Sequence, residues 1–389
     1  HCEIVVTAAR ADGRVVEVLP ASSLNLMAEV ARTRIAKRLG ERLSPDGLDW
    51  EALMEATCSR ALKRWREGEP LLDMFQPGPI ERRRFLLSPF VDWHGPTVLF
   101  ADGGTGKSTF ALAIALTIAV GVSVLGYPPA DTGKVLYLDY EADIDTHTER
   151  LLALCAGLPD PLYPGTDQLL YRRETAPLAD TAATLRQVVA KQGVRFVVID
   201  SLGLARMGEP ESAEATIRLF GAIRRLGVPC LCIDHIAKNA HDPLKPFGSV
   251  YTNNAARLAW KMERTPQEEE GEAHILLTHT KGNYVRGQGR REYRMSYEGD
   301  EDGLALLRYT PVTVGSADAF SDRKPLATRI SEILAAGPLS VKAICEALGG
   351  KPSEGALRTI LGRQPRRFVR LGGPRTAEWA LRAAEPEPV

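Results

Sequence analysis

Ala101-Asp102-Gly103-Gly104-Thr105-Gly106-Lys107-Ser108-Thr109 lies where an apolar run, 97–101, gives way to a helix-patterned apolar stretch, 108–120. It fits G-x-x-x-x-G-K-[ST] except at the first position, where Ala101 replaces glycine. The chemistry of such a loop survives that change. Gly103, Gly104 and Gly106 let the backbone turn successive N–H groups inward around a phosphate, at the positive end of the helix that follows. Lys107 adds a point charge for the outer phosphates, Ser108 offers a hydroxyl to Mg2+, and Thr105 and Thr109 complete the cradle.

Outward from the loop, strands and helices alternate. Strands are expected at 134–140, 194–200 and 228–234, with helices at 145–156, 178–191 and 211–226. Near-continuous apolar strands separated by helices predict an α/β domain with a mostly parallel sheet covered on both faces. The later runs 256–262, 273–280, 291–297 and 304–309 have no helices between them and are read as antiparallel hairpins, with the acidic stretch 268–272 as a solvated turn.

In such sheets ligands bind beyond the carboxyl ends of the strands, so polar residues that close apolar runs are the candidates. Asp200 closes Val197-Val198-Ile199 and is expected to hold Mg2+ through water, beside the Ser108 hydroxyl. Glu141, just past the run 135–138, is expected to orient or deprotonate water, with Asp139 and Asp143 as competitors. His235 ends the next strand, where it would sense a terminal phosphate. Neither His235 nor His279 has further ligands at metal spacing, so no zinc site is expected.

These residues together resemble the RecA-like ATPases, in particular the hexameric plasmid replicative helicases of the RepA type, over about 80–310. The resemblance accepts alanine at the start of the loop. It implies ATP with Mg2+ as the bound group, Glu141 and Lys107 in catalysis, Asp200 on the metal and His235 as the sensor. Two further stretches carry it: 248–257, re-entering the sheet, and Thr280-Lys281-Gly282-Asn283-Tyr284. It implies that Lys281, with Arg286, acts on the ATP of a neighbouring subunit in a homo-oligomeric ring of six. Single-stranded DNA is the implied substrate, contacted by the loop 237–250 with Lys238 and Lys245, and by the loop 206–210.

The flanks lie outside the resemblance. Residues 1–75 are read as an α+β accessory region, with strands at 4–7 and 15–19, helices at 22–39 and 50–66, and Asp49 capping the second helix. The ATPase domain spans 76–315. Residues 323–383 pattern as helices at 326–335, 339–348 and 353–362 followed by a hairpin, which looks like a winged helix-turn-helix. Arg358, Arg363, Arg366 and Arg367 form its candidate nucleic-acid surface, and duplex DNA its candidate ligand.

The 389-residue chain has a formal net charge of +0, which gives no support to polyanion binding by the whole surface. Six cysteines without a CxxC pair read as reduced thiols. The stretch 110–124 is too short for a membrane span, no targeting segment is read, and the cytoplasm is the expected location. The reading is an ATP-hydrolysing motor, with a DNA-loading repair ATPase or an ATP-gated DNA-binding regulator as alternatives.

Overall fold

The computed structural model describes residues 2–9, 14–43, 48–67, 71, 73–75, 85–160, 167–206, 212–236, 250–265, 271–283, 289–300, 303–350, 352–373 and 377–382. The chain divides into two units, His1–Glu81 and Arg82–Val389. In the first, β1 (Cys2–Ala9) and β2 (Val15–Leu24) pair antiparallel, followed by α1 (Glu29–Arg42) and α2 (Trp50–Glu67). The helix expected from 22 starts later, because Ser22, Ser23 and Leu24 continue β2 and pair with Ile4, Glu3 and Cys2. Asp49 caps α2 as expected, its Oδ1 accepting the N–H groups of Glu51 and Ala52. Leu19, Leu24, Ile35, Leu39 and Met54 form the core of this unit.

The second unit opens with β3 (Phe85–Leu87) and β4 (Val91–Asp92), which pair with each other. Next come β5 (Thr97–Ala101), α3 (Lys107–Val120), β6 (Val135–Asp139), α4 (Ile144–Ala156) and β7 (Leu169–Arg173). They are followed by α5 (Leu178–Gln192), β8 (Phe196–Asp200), α6 (Leu202–Arg206), α7 (Ala213–Arg225) and β9 (Cys230–His235). Then come α8 (Val250–Ala255), β10 (Leu258–Arg264), β11 (Glu272–Gly282), β12 (Arg290–Asp300) and β13 (Gly303–Val312).

These strands build a nine-stranded sheet in the order β13-β12-β11-β10-β5-β9-β8-β6-β7. From β10 to β7 every pair is parallel, and β11 to β13 extend the sheet antiparallel. One face buries the apolar α3 and part of α4, with Phe90, Phe110, Tyr293 and Tyr309 among them. The other buries one side of α5 and α7 together with Cys230 and Cys232. Burial on both faces explains why the strands read as unbroken apolar runs. Among the described residues no helix is long and apolar enough to cross a membrane.

The structure corrects the sequence reading at two strands. The run read as an antiparallel hairpin at 256–262 is β10, which lies parallel to β5, with Trp260 opposite Leu99. A crossover between β9 and β10 permits that direction, as parallel neighbours require, and the six-residue α8 within it is too short to read as a helix from its pattern. The strand β7 was not read at all. It is a half-buried edge strand with two arginines, and its short apolar signal is diluted.

Past β13, a buried carboxylate anchors the chain. Glu292 accepts from the N–H groups of Gly315 and Ala317 and lies 2.8 Å from His274 Nδ1. A 3-10 turn (Asp318–Arg323) leads to α9 (Leu326–Leu334), β14 (Leu339–Ser340), α10 (Val341–Ala347), α11 (Glu354–Arg363), β15 (Phe368–Leu371) and β16 (Glu378–Leu381). The three strands form a small antiparallel sheet in the order β14-β16-β15 over a core that includes Ile330, Ile344, Leu357, Leu361 and Phe368. The helix expected over 339–348 begins at Val341, because Leu339 and Ser340 pair with Trp379 and Glu378.

Gly157, at the end of α4, locks the antiparallel extension to the parallel part. Arg308 Nε donates to its carbonyl at 2.6 Å, and a Cβ on Gly157 would meet the Leu307 carbonyl oxygen at 2.0 Å. Gly157→Ala is therefore expected to cost about 1–3 kcal/mol through overpacking, read as a lower thermal unfolding midpoint.

Candidate functional site

Parallel strands deliver their last residues to one edge, and there the candidate side chains meet. A cleft of about 320 Å³ is lined by Gly103, Gly104, Gly106, Lys107, Ser108, Thr109, Glu141, Arg150, Asp200, His235 and Arg264. Its floor is the loop between β5 and α3. Gly104 and Gly106 have φ of 73° and 93°, a left-handed backbone that side-chain-bearing residues rarely adopt. Since a Cβ at Gly103 or Gly104 would meet nothing within 4 Å, conformation rather than space fixes glycine at 104. Thr105 Oγ1 donates to the Asp102 carbonyl at 2.8 Å and tightens the turn.

Lys107 is buried, and its Nζ donates to the carbonyls of Asp102 at 2.8 Å and Ala101 at 3.2 Å. Burial lowers its pKa, against the pull of Asp200, Glu141, Asp102 and Asp234. Across the loop, Asp200 is 3% exposed and is met by two hydroxyls, Ser108 and Tyr137, the latter donating to Oδ2 at 2.7 Å. Burial raises the Asp200 carboxyl, the two hydroxyls oppose that rise, and the nearby Glu141 adds to it. One hydroxyl and one carboxylate side by side next to a glycine-rich loop are hard oxygen donors that suit Mg2+ and leave room for phosphate oxygens.

Among the three carboxylates at the end of β6, packing separates the roles. Asp139 is fully buried. Its Oδ1 accepts from the N–H groups of Glu141 (2.9 Å) and Ala142 (3.0 Å), its Oδ2 accepts from the Tyr171 hydroxyl at 2.9 Å, and His147 Nε2 stands 3.2 Å away. Burial alone would raise its carboxyl, but His147, the two N–H groups and Tyr171 together hold it well below the usual range. Asp143 caps α4 by accepting from Thr146 N–H at 2.8 Å. Glu141 is left half-exposed in the cleft, with Oε2 3.7 Å from His235 Nε2.

Beneath His235 lies Asp234, 1% exposed, which accepts from the His235 N–H at 3.0 Å. Its Oδ2 has no hydrogen-bond partner among the described residues. Burial pushes its carboxyl up to about 7, against the pull of His235 N–H, Arg206 and Lys107.

Two cleft residues escaped the sequence reading. Arg150 lies on α4, behind the Glu141 turn, and Arg264 ends β10, its guanidinium 5.9 Å from the centre of the Tyr297 ring. Arg264 was hidden by the misread direction of β10, since an antiparallel strand would have carried it to the far edge. Arg150 had only its position nine residues after Glu141 to give it away.

Lys281 stands elsewhere. It faces Ala259 near the start of β10, away from the phosphate loop, and donates to the carbonyls of Asn253 (2.6 Å), Asn254 (2.8 Å) and Ala256 (2.7 Å). The role expected for it on a neighbouring subunit's ATP meets an ammonium whose three N–H groups already cap the end of α8. The reason is physical: a helix end leaves carbonyls without intrahelical partners, and a nearby lysine satisfies them. Lys238 and Lys245 lie outside the described residues, as do Arg286 and the loop residues 207–210. Of the C-terminal arginines, Arg358 pairs with Glu354 at 2.9 Å and Arg367 donates to Ser331 Oγ at 2.7 Å, while Arg363 and Arg366 are exposed at the end of α11 and in the turn after it.

Residues 63–241 match the family model described as an AAA domain, a span of under half the chain that carries the phosphate loop, Glu141, Asp200 and His235. A search of curated proteins finds no match to this chain. The match and the mostly parallel sheet agree on a RecA-like P-loop NTPase core, and an AAA-type domain supports ATPase activity in general.

The buried acid of Asp234 has a measurable consequence. Its carboxyl ionises near 3.8 in the unfolded chain and near 7 in the fold, so between those values the folded chain holds the extra proton and stability falls as pH rises. Asp234→Asn is expected to remove that fall, raising the thermal midpoint at about pH 8 more than at about pH 5.

Proposed function

We propose that this chain is an ATP-hydrolysing motor acting on single-stranded DNA, of the ring-forming helicase type. The observation that carries the ATPase part is the convergence of Lys107, Ser108, Glu141, Asp200 and His235 on one cleft. The N–H groups of 103–108 and Lys107 would hold the phosphates, and Ser108 and Asp200 would hold Mg2+. When bound, Mg2+ offsets the charge of the phosphate oxygens. Glu141, the strand-end acid of β6 whose carboxylate accepts no hydrogen bond among the described residues, orients water and takes its proton. Arg150 and Arg264 add positive charge to a site built for a polyanion.

His235 Nε2 stands 3.7 Å from Glu141 Oε2 and lies two residues before 237–250, the stretch with Lys238 and Lys245. The state of the terminal phosphate thus has a route, along the chain, to a stretch that carries two lysines, which favours a motor over a static binder. The DNA substrate and the six-membered ring rest on the resemblance to RepA-type helicases. In this reading Lys281, which donates to carbonyls at the end of α8 within its own chain, remains the residue that the resemblance assigns to a neighbouring subunit's ATP. A second reading, an ATP-gated regulator that grips duplex DNA, is favoured by the exposed Arg363 and Arg366, which end the third of three helices and lie in the turn that leads into a small sheet.

The test is the steady-state ATPase rate of the full chain without DNA, with single strands and with duplex. The motor reading predicts several-fold stimulation by single strands and, in Glu141→Gln, a loss of about a hundredfold or more in kcat with nucleotide binding kept. A rate indifferent to single strands contradicts it, and tight duplex binding with that indifference favours the regulator.

A further inference from the structure

Behind Glu141 and Asp200 lies a wall, buried at Tyr137, Asp139 and His147 and half-buried at Tyr171, whose residues line no part of the cleft. Tyr137 and Asp139 point to the same face of β6, and in the parallel register they lie opposite Val198 and Asp200 of β8. Tyr137 is 2% exposed and donates its hydroxyl to Asp200 Oδ2 at 2.7 Å. Its ring packs on His147, centroids 4.6 Å apart, and His147 in turn lies 5.9 Å from the ring of Tyr171. Tyr171 donates to Asp139 rather than to Asp200. The wall thus has two hydroxyls with separate targets: Tyr137 acts on the metal carboxylate, and Tyr171 acts on the carboxylate that shapes the Glu141 turn.

A carboxylate that binds a metal must be held in orientation, because free rotation about its last bond is lost when the metal binds. Partners beyond the ligands themselves commonly supply this. Asp200 has one side fixed by Tyr137 and is reached from the loop by Ser108. Without the Tyr137 hydroxyl, Oδ2 would lose its donor in a buried setting, and the group would turn to find another.

We propose that Tyr137 is a positioning residue for the metal site: its hydroxyl fixes Asp200 Oδ2 so that the carboxylate keeps the orientation beside Ser108 in which the two would hold Mg2+. This rests on the nucleotide-site reading above. A purely structural tyrosine, whose hydroxyl merely needs a partner, predicts a change in stability and none in metal affinity.

The experiment uses the full chain as wild type, Tyr137→Phe and Tyr171→Phe. Mn2+, standing in for Mg2+, is titrated with ADP present and followed by loss of the free-ion EPR signal, and ADP affinity without metal is measured separately. Tyr137→Phe is expected to weaken Mn2+ binding by about tenfold or more, with metal-free ADP affinity unchanged. Tyr171→Phe is expected to leave Mn2+ affinity unchanged. If Tyr137→Phe fails to fold, p-aminophenylalanine at position 137, which keeps a donor there, must retain wild-type Mn2+ affinity. Unchanged Mn2+ affinity in folded Tyr137→Phe, an equal loss in both Phe variants, or lost affinity with p-aminophenylalanine overturns the proposal. A wild-type chain that takes up neither ADP nor Mn2+ instead overturns the nucleotide-site reading beneath it.

Discussion

Six neighbouring strands run in one direction, and that constraint organises the rest of the second unit. Parallel pairing forces each return through a helix or crossover, covers both faces of the sheet and leaves one edge where all six strands end. Ala101, Asp139, Asp200, His235 and Arg264 come from five of those strands and reach the same edge because of it. The phosphate loop needs a strand below it and a helix beyond it, and β5 and α3 supply both at the centre of the sheet.

Crowding that edge creates an electrostatic problem that the sequence solves locally. Four charged groups, Lys107, Asp139, Asp200 and Asp234, are almost removed from water. Asp139 stays ionised because N–H groups, a hydroxyl and His147 converge on it. Asp200 leans on two hydroxyls, whereas Asp234, with one oxygen unpartnered among the described residues, drifts toward neutrality. The gradient follows the donors available to each acid rather than its depth alone. Fixing Asp139 by the N–H groups of Glu141 and Ala142 also leaves Glu141 directed into the cleft, so a buried acid shapes the turn that presents the exposed one.

Much of this was legible in the sequence, for a physical reason. An apolar run that closes in polar residues marks a buried strand and the end that reaches the cleft, so Asp200, Glu141 (with Asp139 and Asp143 as competitors) and His235 could be placed there from the sequence. The phosphate loop was legible because Lys107 and Ser108 follow glycine at a fixed spacing. What stayed hidden depends on pairing rather than on local pattern. The direction of β10 brings Arg264 to the edge, the register of β6 against β8 puts Tyr137 beside Asp200, and the carbonyl end of α8 occupies Lys281. None of these leaves a periodic trace along the chain.

The central claim is that the edge binds a nucleoside triphosphate through Lys107. Calorimetric titration of a slowly hydrolysed ATP analogue with Mg2+ into the wild-type chain and Lys107→Ala tests it most directly. The account predicts saturable binding to the wild type and no measurable heat with Lys107→Ala. Equal affinity in the two, or no binding to the wild type, would contradict it.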